Sequence, residues 1–120
     1  MVLLDTNIFI YIASGKLNRQ IVRSVDIAYA SISKIEALGF PSIQANEQLL
    51  LKYMFDESYN LALSDAVIER SIILRQLKKM SLSDTIVAAT ALEYGVPLWS
   101  ANTKGFSFID GLEVVDPTLL

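Results

Sequence analysis

The sequence predicts an α/β fold, a mainly parallel sheet of about five strands with helices on both faces. Three observations carry this expectation. Short apolar runs of strand length recur between longer segments with helical periodicity. The first run, Val2-Leu3-Leu4, is apolar at every position and stops abruptly at Asp5-Thr6-Asn7, as a buried strand does at its end. The stretch from Ser81 to Tyr94 is small and apolar on nearly all sides, which places it in the interior. In open sheets of this class, ligands bind beyond the carboxyl ends of the strands. Asp5 therefore stands where such a fold puts its chemistry.

The remaining elements follow in order. Ile8 to Ala13 continues as a helix capped by Thr6 or Asn7 and broken at Ser14-Gly15-Lys16. Leu17 to Val25 reads as a short amphipathic piece, with Ile21, Val22 and Val25 on one side. Asp26 to Ser31 is the second strand, and a helix opening at Ser33 ends at Gly39-Phe40-Pro41. Ser42 to Ser58 is helical, and the apolar content of Leu49 to Phe55 exceeds what one core stripe needs, so a partner surface is expected there. Asn60 to Leu63 is the third strand. Ser64-Asp65 caps a helix through about Met80, whose last turns carry Arg75, Lys78 and Lys79, the charge favoured at a helix C-terminus. Gly95 and Pro97 end the apolar helix. Leu98 to Ser100 is the fourth strand, Asn102 to Gly111 a loop, and Leu112 to Val115 the fifth strand.

A chain of 120 residues fits a single domain spanning 1–120. Its 52% apolar and 19% charged residues make it globular rather than disordered. No run reaches the length of a membrane span, and the N-terminus lacks a secretory pattern, so a cytoplasmic protein with no membrane association is expected. With no cysteine, disulfides, thiolate nucleophiles and Cys-ligated zinc are excluded. With no histidine, the commonest general base is missing, and any active site must rest on carboxylates. Oxygen ligands favour Mg²⁺ or Mn²⁺. The net charge of −3 argues against broad phosphate contact, which any nucleic-acid function must answer.

Three acids share one local setting. Asp5 ends the first strand, Glu36 lies early in the helix after the second, and Asp84 opens the buried helix. The partial positive charge of a helix N-terminus makes clustered carboxylates less costly there. Three acids on one sheet edge still repel one another unless a cation joins them. A divalent metal site explains the set. Capping explains the acids singly, because Ser33-x-x-Glu36 and Ser81-x-x-Asp84 both match the capping box. Spacing alone leaves both explanations open. Ser100 and Asn102, just after the fourth strand, are further candidates, with Asn102 and Gly105 also serving as ordinary loop formers.

Together these residues resemble the PIN-domain ribonucleases, especially the VapC-like toxins of bacterial toxin–antitoxin pairs. The resemblance rests on Val2-Leu3-Leu4-Asp5-Thr6-Asn7, Ser31 with Glu36, Leu82-Ser83-Asp84-Thr85 through Ala91, Gly95 through Asn102, and the close from Phe106 to Asp116-Pro117. It runs in order over essentially the whole chain. It implies a three-layer α/β/α fold and Mg²⁺- or Mn²⁺-dependent cleavage of RNA. Asp5, Glu36 and Asp84 match the three main acidic ligands. Asn102 falls where many members carry a fourth acid or an asparagine, while Gly105 departs from a frequent aspartate. The resemblance also implies a homodimer held inactive by a small antitoxin protein. Lys34, Lys104 and Arg75 are candidate phosphate contacts, with solvated surface as the plainer role.

Two other functions remain comparable in outline. A non-catalytic PIN-like module that binds RNA or protein needs no working metal site. A receiver-like signalling domain also gathers acids at strand ends, but needs an acid pair after the first strand and a Lys-Pro after the fifth. This chain has only Asp5 at the first position and no Lys-Pro.

Overall fold

A computed structural model describes residues 1–120. Val2–Leu4 forms β1, Ile27–Ala30 β2, Tyr59–Leu61 β3, Leu98–Trp99 β4 and Val114–Val115 β5. All pair in parallel, in the order β3-β2-β1-β4-β5. The chain builds outward from β1 through β2 to β3, then returns to the other side of β1 for β4 and β5. The strand order therefore reverses between β1 and β4, and a crevice outside their carboxyl ends is the expected ligand site.

The side-chain alternation of the strands explains why both faces are covered. Leu3, Ala28, Ala30 and Leu98 face one core with Val67, Val87 and Ala88. Val2, Leu4, Tyr29 and Trp99 face the other with Ile8, Phe9, Leu51 and Phe55. The first core lies under helices α4 (Asp65–Leu77) and α5 (Leu82–Tyr94). The second lies under α1 (Thr6–Ala13) and α3 (Ala45–Asp56). Helix α2 (Ser31–Leu38) follows β2 directly and buries Ala37 in this second core. The result is the expected three-layer α/β/α arrangement. In the second core Phe9 packs on Phe55 with ring centroids 4.5 Å apart, and Tyr29 meets Phe55 edge-on at 4.9 Å. Each such pair adds about 0.5–1.5 kcal/mol beyond its area burial.

Several boundaries differ from the sequence reading. The amphipathic piece at 17–25 contains only a 3-10 turn, Arg19–Val22, whose Gln20 amide donates to the Asn18 side chain. A segment that short cannot repay α-helical nucleation. The helix expected from Ser42 starts at Ala45, because Ser42 adopts a positive φ of 67° that ends any helical path. Helix α4 stops at Leu77, where Lys78 turns extended. The loop expected at 102–111 contains a one-turn helix, α6 (Thr103–Phe106). Gly105 concealed it, while burial of Phe106 and Ile109 holds it against the core. Gly95 ends α5 in the left-handed conformation, φ 66°, as glycine favours. No helix is long and apolar enough to cross a membrane.

Helix α3 buries Leu51, Met54 and Phe55 and leaves Leu49 and Tyr53 exposed, so part of its apolar surplus faces outward. Helix α4 exposes more than the sequence reading expected: Ile68, Ile72, Ile73 and Leu77.

Candidate functional site

Asp5 and Ser100 follow β1 and β4, the two strands at which the order reverses. Ser100 Oγ donates to Asp5 Oδ2 at 2.8 Å, and both residues are buried. Asp5 Oδ1 accepts from the Thr6 amide at 2.8 Å, which makes Asp5 itself the N-cap of α1. Thr6 and Asn7, expected as caps, lie inside the helix instead. The Asn102 amide donates to Ser100 Oγ at 3.0 Å, so Asn102 reaches Asp5 through its backbone and the Ser100 hydroxyl. Its side chain folds over Gly105, where any Cβ would collide with the Asn102 amide group. Glycine at 105 and this placement of Asn102 therefore belong together.

Glu36 sits in the second turn of α2, because that helix begins at Ser31 rather than Ser33. The capping-box explanation of Glu36 fails with this shift. Ser33 is fully buried, and its Oγ lies 2.8 Å from Thr6 Oγ1. Thr6 Oγ1 in turn lies 3.1 Å from Glu36 Oε1. Glu36 is exposed, but this hydroxyl contact ties it to the residue after Asp5.

Asp84 occupies the third position of α5, where Ser81 is the N-cap and accepts from the Asp84 amide at 3.1 Å. Half of that capping box is thus formed. The carboxylate of Asp84 makes no return bond and is half-buried at the helix N-terminus.

The three acids act on one another. Burial pushes the Asp5 carboxyl above its ordinary value, and the nearby Asp84 and Glu36 charges push it further. The bonds from Ser100 and the Thr6 amide pull the other way without cancelling the rise. As they lie, no three carboxylates are close enough to hold an ion between them. The donor set nevertheless fits a hard divalent cation. Its atoms are all oxygens, Asp5 is fixed by two hydrogen bonds, and the carboxylates of exposed Glu36 and half-buried Asp84 are not locked by ion pairs. A positive ion would relieve the repulsion at Asp5.

The fold has close counterparts among solved structures. A toxin–antitoxin complex from Klebsiella pneumoniae contains a chain 28% identical to this one, with a TM-score of 0.78 and 98% of each chain covered. VapBC-1 from nontypeable Haemophilus influenzae matches at 22% identity and TM-score 0.79, over 98% of this chain and 99% of that one. VapBC2 from Rickettsia felis, bound to a DNA fragment from its promoter, matches at 19% identity and TM-score 0.79, over 96% and 98%. The chain has the PIN-like α/β fold of these neighbours. No family model matches the sequence, and no curated protein matches it.

Within this PIN-type fold, sequence reasoning named Asp5, Glu36, Asp84 and Asn102 and proposed a supporting role for Ser100. It missed Ser33 and passed over the Thr6 hydroxyl. Nothing local marks Ser33, since its partner lies 27 residues away. Lys34, Lys104 and Arg75 are all exposed, and none is in an ion pair. Lys34 is on α2, two residues from Glu36 and so turned to a different side of the helix, and Lys104 is in α6. Arg75 instead lines an apolar groove with Leu63, Ile68, Ile72, Leu82 and Ile86.

Proposed function

We propose that this protein is a metal-dependent endoribonuclease, the toxin of a type II toxin–antitoxin pair. The observation that carries this reading is the placement of Asp5. A carboxylate buried where the strand order reverses, charge-coupled to Glu36 and Asp84, is costly to keep unless it binds a cation. The PIN-type fold, shared with toxin chains, supports the same reading.

In this reading Asp5, Glu36 and Asp84 hold Mg²⁺ or Mn²⁺, and such an ion supplies charge stabilisation at phosphorus and a more acidic attacking water. The chain's own residues do the rest. Ser100 donates to Asp5 and favours its ionised form. Thr6 holds Glu36 beside it. The N-terminus of α5 presents Asp84. Asn102 acts through its amide on Ser100. Lys34 and Lys104, both exposed and unpaired, are the candidate phosphate contacts, and a bound cation would offset the net negative charge where RNA must approach. No histidine or cysteine is needed.

The partners follow from the same reading. The apolar residues exposed on α3 and α4 supply surface for a cognate antitoxin and for a homodimer. An RNA substrate of this kind places the protein in the cytoplasm. The solved neighbours include complexes of toxin with antitoxin and with promoter DNA.

The test is cleavage of single-stranded RNA by the purified protein with Mn²⁺ or Mg²⁺, with EDTA and the Asp5→Asn and Asp84→Asn variants as controls. Metal-dependent cleavage lost in both variants is the expected result. Cleavage that persists in a folded Asp84→Asn variant would defeat the mechanism. Absence of both cleavage and Mn²⁺ binding would leave a non-catalytic RNA- or protein-binding module.

A further inference from the structure

We propose that Ser33 is a positioning residue, which orients Glu36 through the Thr6 hydroxyl and so preorganises the cation site. The inference rests on the metal-binding reading above and adds a residue to it that lies outside the acid set.

The argument is a count of hydrogens. Thr6 Oγ1 is in contact with two oxygens, Ser33 Oγ at 2.8 Å and Glu36 Oε1 at 3.1 Å. A hydroxyl has one proton to donate. An ionised carboxylate accepts only and makes the stronger, charge-assisted bond. The Thr6 proton therefore goes to Glu36. Ser33 must then donate to Thr6 Oγ1, and this assignment satisfies every group. Ser33 is fully buried, with no route to water. Other buried hydroxyls in helices here spend their proton on the carbonyl four residues back, as Ser71 does on Val67 and Thr90 on Ile86. Ser33 makes no such bond, which leaves its proton for Thr6. No buried side-chain oxygen or nitrogen is left unpaired.

The direction of the relay has a consequence. Each hydrogen bond polarises the next, so Ser33 strengthens the hold of Thr6 on Glu36. It also stops the Thr6 hydroxyl from turning away. The relay runs from the interior of α2 to the start of α1 and back to the exposed side of α2. It fixes an exposed glutamate, which otherwise loses rotamer freedom on binding an ion. Outer-shell partners of metal ligands commonly change metal affinity about 10–100-fold when removed.

The experiment is calorimetric titration with Mn²⁺ alone, at pH 7, of the wild-type chain and the Ser33→Ala, Thr6→Val and doubly substituted chains. Ser33→Ala is expected to weaken Mn²⁺ binding on the order of tenfold. Thr6→Val weakens it as well, and adding Ser33→Ala to Thr6→Val is expected to cost nothing more, because the relay is already cut. Thr6→Ser, which keeps the hydroxyl, restores binding. Ser33→Cys keeps the volume with a weaker donor and replaces the alanine variant if that one does not fold. Binding by Ser33→Ala within twofold of wild type overturns the proposal and leaves the metal reading intact. An undiminished further loss in the Thr6→Val background overturns it too, since Ser33 would then act by another route. A wild-type chain that binds no Mn²⁺ overturns the metal reading and this proposal with it.

Discussion

Asp5 and Asp84 are two acids at two helix starts, held in opposite ways. Asp5 is buried, accepts from Ser100 and the Thr6 amide, and carries a carboxyl pushed up by desolvation and by its acidic neighbours. Asp84 is half-buried, and only its amide is engaged, by the Ser81 cap. The structure spends hydrogen bonds on the acid that costs most to bury and leaves the other free to move. That division suits a site with one fixed ligand and others that close onto an ion. It also separates roles that sequence reading leaves joined, because both acids match a simple cap.

The contrast is broken most directly by activity. Asp5→Asn and Asp84→Asn are each expected to lower Mn²⁺-dependent RNA cleavage by on the order of a hundredfold or more, since a metal ion supplies several kcal/mol of charge stabilisation. A large loss in one variant alone would show that the two acids do not share an ion.

Stability sharpens it next. Ser100→Ala removes a bond to a charged, buried acceptor and is expected to cost about 1.5–3 kcal/mol at neutral pH, measured by urea unfolding without metal. That cost shrinks as the pH falls through the raised value of Asp5, because the bond favours the ionised form. Ser81→Ala, at the other acid, is expected to cost about 1 kcal/mol as the loss of an N-cap.

The pH dependence of Asp5 itself follows from the sign of its shift. The folded protein binds the Asp5 proton more tightly than the unfolded chain, whose carboxyl sits near 3.8. Between the two values the folded state carries more proton, so this group's contribution to stability falls as pH rises. Without metal, Asp5→Asn is therefore expected to be more stable than wild type at neutral pH. The difference should fade as pH drops through the raised value toward 3.8. Unfolding midpoints of the two proteins across pH measure this directly. A constant difference at every pH would refute the raised carboxyl. The smallest effect is expected for Asp84→Asn without metal, within about 0.5 kcal/mol of wild type, because the half-buried carboxylate makes no hydrogen bond and the relieved repulsion of Asp5 offsets the lost interaction with the helix N-terminus.

The legibility of this chain in its sequence was uneven for identifiable reasons. The helix α5 stood out because Ser81, Gly95 and Pro97 bracket a run that is small and apolar on nearly all sides. The amphipathic pattern of Ile21, Val22 and Val25 does not say which local structure it takes, and so short a segment forms only the 3-10 turn Arg19–Val22. Helix α6 was hidden by Gly105, although Phe106 anchors it in the core. Glu36 does lie near Asp5, through Thr6, but not at the start of its helix, since α2 begins at Ser31 and Ser33 points inward rather than capping.

Local pattern was enough to set the alternation of strands and helices and to put Asp5 and Asp84 at helix starts and Glu36 in the helix after β2. Burial on both sheet faces demands apolar strands, and caps and breakers act over a few residues. The pairing of hydroxyls with acids was decided only when the sheet assembled. Ser100 meets Asp5 across 95 residues because β4 returns to lie beside β1, and Thr6 meets Ser33 and Glu36 because β2 lies on its other side. Such bonds depend on strand order, and no short-range pattern in the chain encodes them.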